Sequence, residues 1–221
     1  MDFGLGGAIA LVTGGTRGVG RGISEVLVEA GATVIMCGRR EPDDSVAGAH
    51  FVSCDVRDAE QVGAAMTTII ERYGRLDILV NNAGGSPSTP TAEASPRFHA
   101  KIVELNLLAP LIVAQAANAV MQQQAAGGAI VMISSVSGHR PSPGTAAYGA
   151  AKAGLDNLTA TLAMEWAPKV RVNSVVAGLV RTEQAHLHYG DDHAIAAVGA
   201  TVPLGRLAEP GEIGNCVAFL A

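Results

Sequence analysis

Thr13-Gly14-Gly15-Thr16-Arg17-Gly18-Val19-Gly20 stands between the apolar run 9–12 and an amphipathic stretch over 18–30. Glycines at 14, 18 and 20 let the backbone turn tightly and come close to a pyrophosphate. A helix starting near Gly18 aims its free N–H groups and the positive end of its dipole at that anion. A glycine cluster alone is weak evidence, because turns are glycine-rich anyway. The strand before it and the helix after it supply the context that makes Gly14, Thr16, Arg17, Gly18, Val19 and Gly20 a candidate dinucleotide phosphate loop.

Working outward, continuous apolar runs fall at 9–12, 33–37, 51–53, 78–80, 129–133 and 170–176. Apart from Arg171, Asn173 and Ser174 in the last run, they do not alternate with polar residues, which is the pattern of strands covered on both faces. Helical candidates lie between them at 18–30, 59–73, 96–124 and 146–166. This order predicts right-handed βαβ units and an α/β fold, a doubly wound, Rossmann-like parallel sheet with helices on both faces. Ligands of such sheets bind beyond the carboxyl ends of the strands, so function is expected just after Val12, Cys37, Val80, Ile133 and Val176.

A chain of 221 residues with no linker or repeat is expected to form one dinucleotide-binding and catalytic domain over 1–221. Only 16% of residues are charged and the net charge is −5, with no basic patch for nucleic acid or an anionic membrane. Cys37, Cys54 and Cys216 have no metal-ligand spacing, and are expected to be unpaired thiols in a reducing compartment. The N-terminus carries Asp2 and lacks the basic region of a signal peptide. The uncharged stretch 105–133 is interrupted by Asn106, Pro110, Gln115 and Asn118, so it reads as a buried helix rather than a bilayer span. A soluble, cytoplasmic protein is expected.

The second strand should end beside the adenosine ribose, where an acidic residue would accept hydrogen bonds from the hydroxyls of NAD. Here it ends in Cys37-Gly38-Arg39-Arg40. An arginine can pair with a 2′-phosphate, so Arg39, with Arg17 in the glycine loop, favours NADP(H) and leaves NAD(H) possible. Asp55, with Val56 beside it, follows the third strand and could meet the adenine edge.

The sharpest feature is Tyr148-Gly149-Ala150-Ala151-Lys152. Residues four apart on a helix share a face, and a buried ammonium beside a phenol favours the phenolate. Acid/base work near neutral pH needs the tyrosine lowered by about 3 pH units from its usual value near 10. A Tyr-x-x-x-Lys pair also arises by chance on exposed helices. Here, however, Ser134-Ser135 ends a strand thirteen residues earlier, at the ligand edge of the sheet, where a hydroxyl can hold a substrate oxygen.

Taken together, Thr13-Gly-x-x-x-Gly-x-Gly20, Asn81-Asn82-Ala83-Gly84, Ser135 and Tyr148-x-x-x-Lys152 resemble the compact, single-domain type of short-chain dehydrogenase/reductase over the whole chain. The resemblance implies hydride transfer between a nicotinamide cofactor and a small-molecule carbonyl or secondary alcohol, as in a 3-oxoacyl reductase or another ketone reductase. It implies Tyr148 as general acid/base, Ser135 as substrate-orienting hydroxyl, and Lys152 as ribose ligand that lowers the tyrosine pKa. It also implies Asn106 as holder of a water in the proton relay. Asn82, Ala83 and Gly84 would line the cofactor pocket, and Gly178, Val180 and Thr182 would contact the nicotinamide end. A homotetramer or homodimer is implied as well.

Two departures from the family pattern stand out. Ala177 replaces the proline usual before Gly178, and the edge strand that follows the last helix in relatives is expected to be missing. They motivate a second reading, a cofactor-binding protein of the same fold without turnover, regulatory or structural. Residues 183–200 read as a mobile polar lid over the substrate. A metal site at His186, His188 and His193 is disfavoured by their spacing, so no metal is expected.

Overall fold

The computed structural model describes residues 3–221, except for the side chain of His188; Asp2 lies outside the described residues. Six strands form one sheet: β1 (Ile9–Thr13), β2 (Thr33–Gly38), β3 (His50–Ser53), β4 (Ile78–Asn81), β5 (Gly128–Ser135) and β6 (Val170–Ala177). Their order is β3-β2-β1-β4-β5-β6. Every pairing is parallel, so each connection must cross over a face of the sheet. The direction of winding reverses between β1 and β4, and a crevice opens there at the carboxyl ends.

Both faces are covered. All five residues of β1 are buried, which accounts for its unbroken apolar run. On one face α1 (Gly18–Glu29) and α8 (Pro210–Leu220) set Ile23, Leu27, Ile213 and Val217 against Val12, Val34, Val80 and Val131. On the other face lie α2 (Ala59–Tyr73), α4 (Ala109–Met121) and α5 (Ala146–Trp166). Their Val62, Ile69, Val113, Met121 and Leu155 pack on Leu11, Ile35, Leu79 and Ile130. Such burial is worth roughly 1.5–3 kcal/mol for each large aliphatic side chain. Asp58 fixes the start of α2 by accepting hydrogen bonds from the Glu60 and Gln61 backbones.

The helix expected over 96–124 is not uniform. It runs as α3 (Pro96–Val103), a π-turn (Glu104–Leu108) and α4, with a turn after Met121. By length and composition, Pro96–Met121 could cross a bilayer, yet Ile102, Asn106, Val113, Ala117 and Met121 are buried within the fold. The expected polar lid over 183–200 holds two helices, α6 (Ala185–Tyr189) and α7 (Asp192–Ala200). Their Ala185 and Ile195 bury with Leu207 in a small apolar cluster, so the segment has its own packing. The sheet ends at β6, with no further strand beside it among the described residues.

Candidate active site

A cleft of about 850 Å³ opens at the carboxyl edge of the sheet. Of the residues singled out from sequence, Gly14, Thr16, Arg17, Gly18, Val19, Gly20, Arg39, Asp55, Val56, Asn82, Ala83, Gly84, Ser135, Tyr148, Lys152, Gly178 and Thr182 all line it.

The glycine loop is shaped by contacts behind it. Asn82 Nδ2 donates to the Thr13 and Gly14 carbonyls at 2.9 and 3.2 Å. The Thr13 hydroxyl oxygen accepts from the backbone N–H groups of Asn82 and Ala83, both at 3.0 Å. A Cβ on Gly20 would fall 2.1 Å from the Gly14 oxygen and 2.4 Å from Asn82 Nδ2, so no side chain fits there. Gly18 sits at φ +54°, in the left-handed region that favours glycine. The helix behind it has no side-chain N-cap and no acidic residue in its first turn. Instead the Glu183 carboxylate accepts from the Gly18 N–H at 3.1 and 3.2 Å. An anion already rests on the helix end, so the loop fits a pyrophosphate.

At the far end the cleft is lined by Arg17, Arg39, Arg40 and Arg57 around a single carboxylate, Asp55. The Arg57 guanidinium holds Asp55 at 2.6 and 2.9 Å and lowers its pKa to about 2. Arg57 engages both oxygens of the carboxylate that could meet an adenine edge, and Oδ2 keeps a further lone pair. Four arginines to one carboxylate leave this end of the cleft positively charged.

At the inner end, β5 delivers Ser135 and α5 delivers Tyr148 and Lys152. The Ser135 oxygen accepts from the Ser137 N–H at 3.2 Å. Burial raises the Tyr148 pKa, and the hydrogen bond from Ser135 opposes the rise. The Lys152 Nζ lies 5.6 Å from the centre of the Tyr148 ring and donates to the Ile133 carbonyl at 2.7 Å. Burial brings the Lys152 ammonium down to about 8, with Asp156 working against the fall. The sequence-based expectation that Lys152 lowers the tyrosine meets a different balance here: burial of the phenol dominates in this state.

Two expected site residues stand back from the cleft. Asn106 is fully buried in the π-turn; its side chain donates to the Gly85 and Ile102 carbonyls and accepts from the Gly85 N–H. It shapes the cleft wall through Gly85 rather than lining it. Val180 bridges to Ala208, packs on the core and is not among the residues that line the cleft. Arg57, Gly85, Leu105, Ala177, Glu183 and Gln184 line the cleft without having been singled out. Arg57, two residues past Asp55, was visible as a salt-bridge partner; Glu183 pairs with Gly18 across 165 residues and left no local signal. No group of three metal-ligating side chains gathers among the described residues.

The family described as Enoyl-(Acyl carrier protein) reductase matches residues 14–221. The chain belongs to the short-chain dehydrogenase/reductase family. Among curated members, it is 36% identical over 228 residues to a 3alpha-hydroxysteroid dehydrogenase of Mediterraneibacter gnavus, spanning 96% of this chain and 89% of that protein. It is also 36% identical over 224 residues to the 3-oxoacyl-[acyl-carrier-protein] reductase FabG of Vibrio harveyi, spanning 98% and 91%. Among solved structures, the ligand-free aldohexose dehydrogenase of Thermoplasma acidophilum superposes with a TM-score of 0.93 at 30% identity, over 100% of this chain and 89% of that one. The actinorhodin polyketide ketoreductase with NADPH gives 0.89 at 33% identity, over 97% and 90%. Membership makes the protein an NAD(P)-dependent oxidoreductase.

Proposed function

We propose that the protein is an NADP(H)-dependent oxidoreductase acting between a ketone and a secondary alcohol of a small molecule. The observation that carries this reading is one cleft holding a phosphate loop at one end and Ser135, Tyr148 and Lys152 at the other. In the reductive direction the substrate oxygen lies between the Ser135 hydroxyl and the Tyr148 phenol. Tyr148 gives its proton to that oxygen as negative charge develops, and Ser135 donates a hydrogen bond to it. The Lys152 ammonium stabilises the phenolate left behind and holds the nicotinamide ribose. The bound nicotinamide supplies or accepts the hydride. In oxidation Tyr148 accepts the proton. Asn106 serves the proton relay from behind the wall, by anchoring Gly85 beside the cleft, since its amide donors go to Gly85 and Ile102.

Arg17, Arg39 and Arg40 favour the 2′-phosphate of NADP(H) over the bare ribose of NAD(H), a preference that the NADPH of the actinorhodin ketoreductase also supports. Residues 183–200 close over the substrate, with His139, Arg140 and Ser142 at its border. The relatives named for 3-oxoacyl, steroid and sugar substrates favour a ketone or secondary alcohol of that size. Residues 1–221 act as one domain. Exposed Leu108 and Met164, 48% and 83% accessible, lie on the π-turn and α5, and support assembly into a homodimer or homotetramer. Unpaired Cys37, Cys54 and Cys216 fit a reducing, cytoplasmic setting.

The test is a fluorescence titration with NADPH and NADH in parallel, followed by NADPH oxidation against a panel of ketones. Binding of NADPH with turnover of any ketone is expected. Cofactor binding without turnover across the panel would favour a regulatory or structural role instead.

A further inference from the structure

One helical turn beyond Lys152, α5 presents a carboxylate that the catalytic scheme above does not use. Asp156 Oδ2 accepts from the Ser134 hydroxyl at 2.8 Å, and its Oδ1 accepts from the Ser174 hydroxyl at 2.9 Å. The His139 Nε2 reaches Oδ2 at 2.9 Å, from the residue after the 3-10 turn Val136–Gly138. Ser134 is on β5, directly before Ser135, and Ser174 is on β6. Ser134 also points its hydroxyl at the Lys152 carbonyl, 3.4 Å away. The Asp156 side chain is only 19% exposed, so these contacts form largely out of water. One carboxylate therefore ties two strand ends and the loop after Ser135 to the helix that carries Tyr148 and Lys152.

Resting on the function proposed above, we infer that Asp156 is a positioning residue, which locks Lys152 to the Ser134–Ser135 strand end and balances the charge of its buried ammonium. Lys152 is 4% exposed and its Nζ donates to a neutral carbonyl, that of Ile133. A cation so placed needs a nearby negative charge to stay protonated. The elements packed against α5 carry His139, Arg171 on β6, Arg97, His99 and Lys101 on α3, and Glu104 in the π-turn; Tyr148 shares the helix. Of all these groups and Asp156, only Asp156 opposes the effect of burial on the ammonium. A neutral amide in its place keeps the shape and one acceptor oxygen, with a serine hydroxyl able to turn and accept from its NH2, but it removes the charge.

The experiment compares the native chain with Asp156→Asn and Ser174→Ala. Lysine acetylation by acetic anhydride, followed across pH by mass spectrometry of the Lys152 peptide, reports protonation of that amine without cofactor or turnover. The native inflection is expected near pH 8. Asp156→Asn should move it down by about one pH unit, a tenfold loss of protonated amine at a given alkaline pH. The alkaline limb of NADPH-driven reduction should move the same way. Ser174→Ala removes one tie and keeps the charge, so its inflection should stay in place. An unmoved inflection in folded Asp156→Asn overturns the inference. Should that variant not fold, Asp156→Glu keeps the charge on a longer arm: a lower kcat at unchanged KM supports positioning, and an unchanged kcat overturns it. Because labelling needs no substrate, a protein that reduces no ketone would defeat the proposed function and still decide the role of Asp156.

Discussion

The Glu183 carboxylate rests on the backbone N–H of Gly18, 3.1 Å away, at the N-terminus of α1 where a cofactor's pyrophosphate would lie. Two anions cannot share that helix end, so cofactor binding must expel the side chain. Glu183 stands two residues before α6.

Replacing Glu183 with Gln should therefore tighten NADPH binding, by roughly 3- to 10-fold at low salt, the usual worth of a charge at a helix terminus. The gain should shrink as ionic strength rises. Equilibrium fluorescence titration measures both, and unchanged or weaker binding would show that the contact does not compete with the cofactor.

Tyr148→Phe removes one hydroxyl from a ring that is otherwise well packed. Turnover should fall by about 10²–10⁴-fold while NADPH affinity stays within a factor of about three. Steady-state kinetics beside a binding titration separates the two effects; retained turnover would remove the tyrosine from acid/base duty.

Arg39→Ala should weaken NADPH binding by about 10- to 100-fold and leave NADH almost unaffected, since a charged hydrogen bond to phosphate is worth roughly 1.5–3 kcal/mol. Parallel titrations with the two cofactors read the ratio directly. Equal losses for both would mean that Arg39 does not read the 2′-phosphate.

Gly20→Ala places a methyl group 2.1 Å from the Gly14 oxygen, against backbone that cannot move without opening the loop. Loss of measurable cofactor binding and a destabilisation of at least about 2 kcal/mol are expected. Chemical denaturation and titration of the same variant would reveal whether the loop tolerates the group.

Lys152 illustrates a stability cost accepted for function. Its pKa is about 8 in the fold against an ordinary 10.5, so between those values the unfolded chain holds the extra proton. Stability from this group therefore rises as pH climbs through that window, and the full cost, on the order of 3–4 kcal/mol, is present below pH 8. Lys152→Met should raise the melting temperature at pH 7 by several °C and abolish turnover, with the gap narrowing towards pH 10. A lower melting temperature at pH 7 would mean that the Ile133 hydrogen bond outweighs the cost of burial.

The parallel sheet and the location of the cleft were legible because they depend on local signals. β1 is apolar along its whole length, the glycine loop follows at once, and Tyr148 and Lys152 are neighbours on one helix. Partners far apart in sequence were not legible. Asp156 stands at the same i+4 spacing from Lys152 that drew attention to Tyr148, but its meaning depends on Ser134 and Ser174, which only the sheet brings to it. Glu183 looked like the first residue of a polar loop. Asn106 and Val180 were matched to cofactor or catalytic duties by motif position alone, and tertiary packing turned both away from the cleft. The regular helix expected over 96–124 hid the π-turn, because a one-residue change of phase leaves an apolar stretch looking equally apolar.

That π-turn gives the segment an unusual sensitivity. The wide turn, closed by the Ala109 N–H on the Glu104 carbonyl, takes up one residue more than an ordinary turn. Each residue advances an α-helix by about 100°. The wide turn absorbs that extra residue, so Ile102 before it and Val113, Ala117 and Met121 after it all face the core. Deleting one residue between Glu104 and Leu108 would close the turn to regular winding and leave the two halves in phase. The loss would be local: the widened backbone that carries Asn106 to Gly85 would be gone. This short piece of chain works as slack within a helix, shaping the cleft wall while the alignment on either side of it is kept.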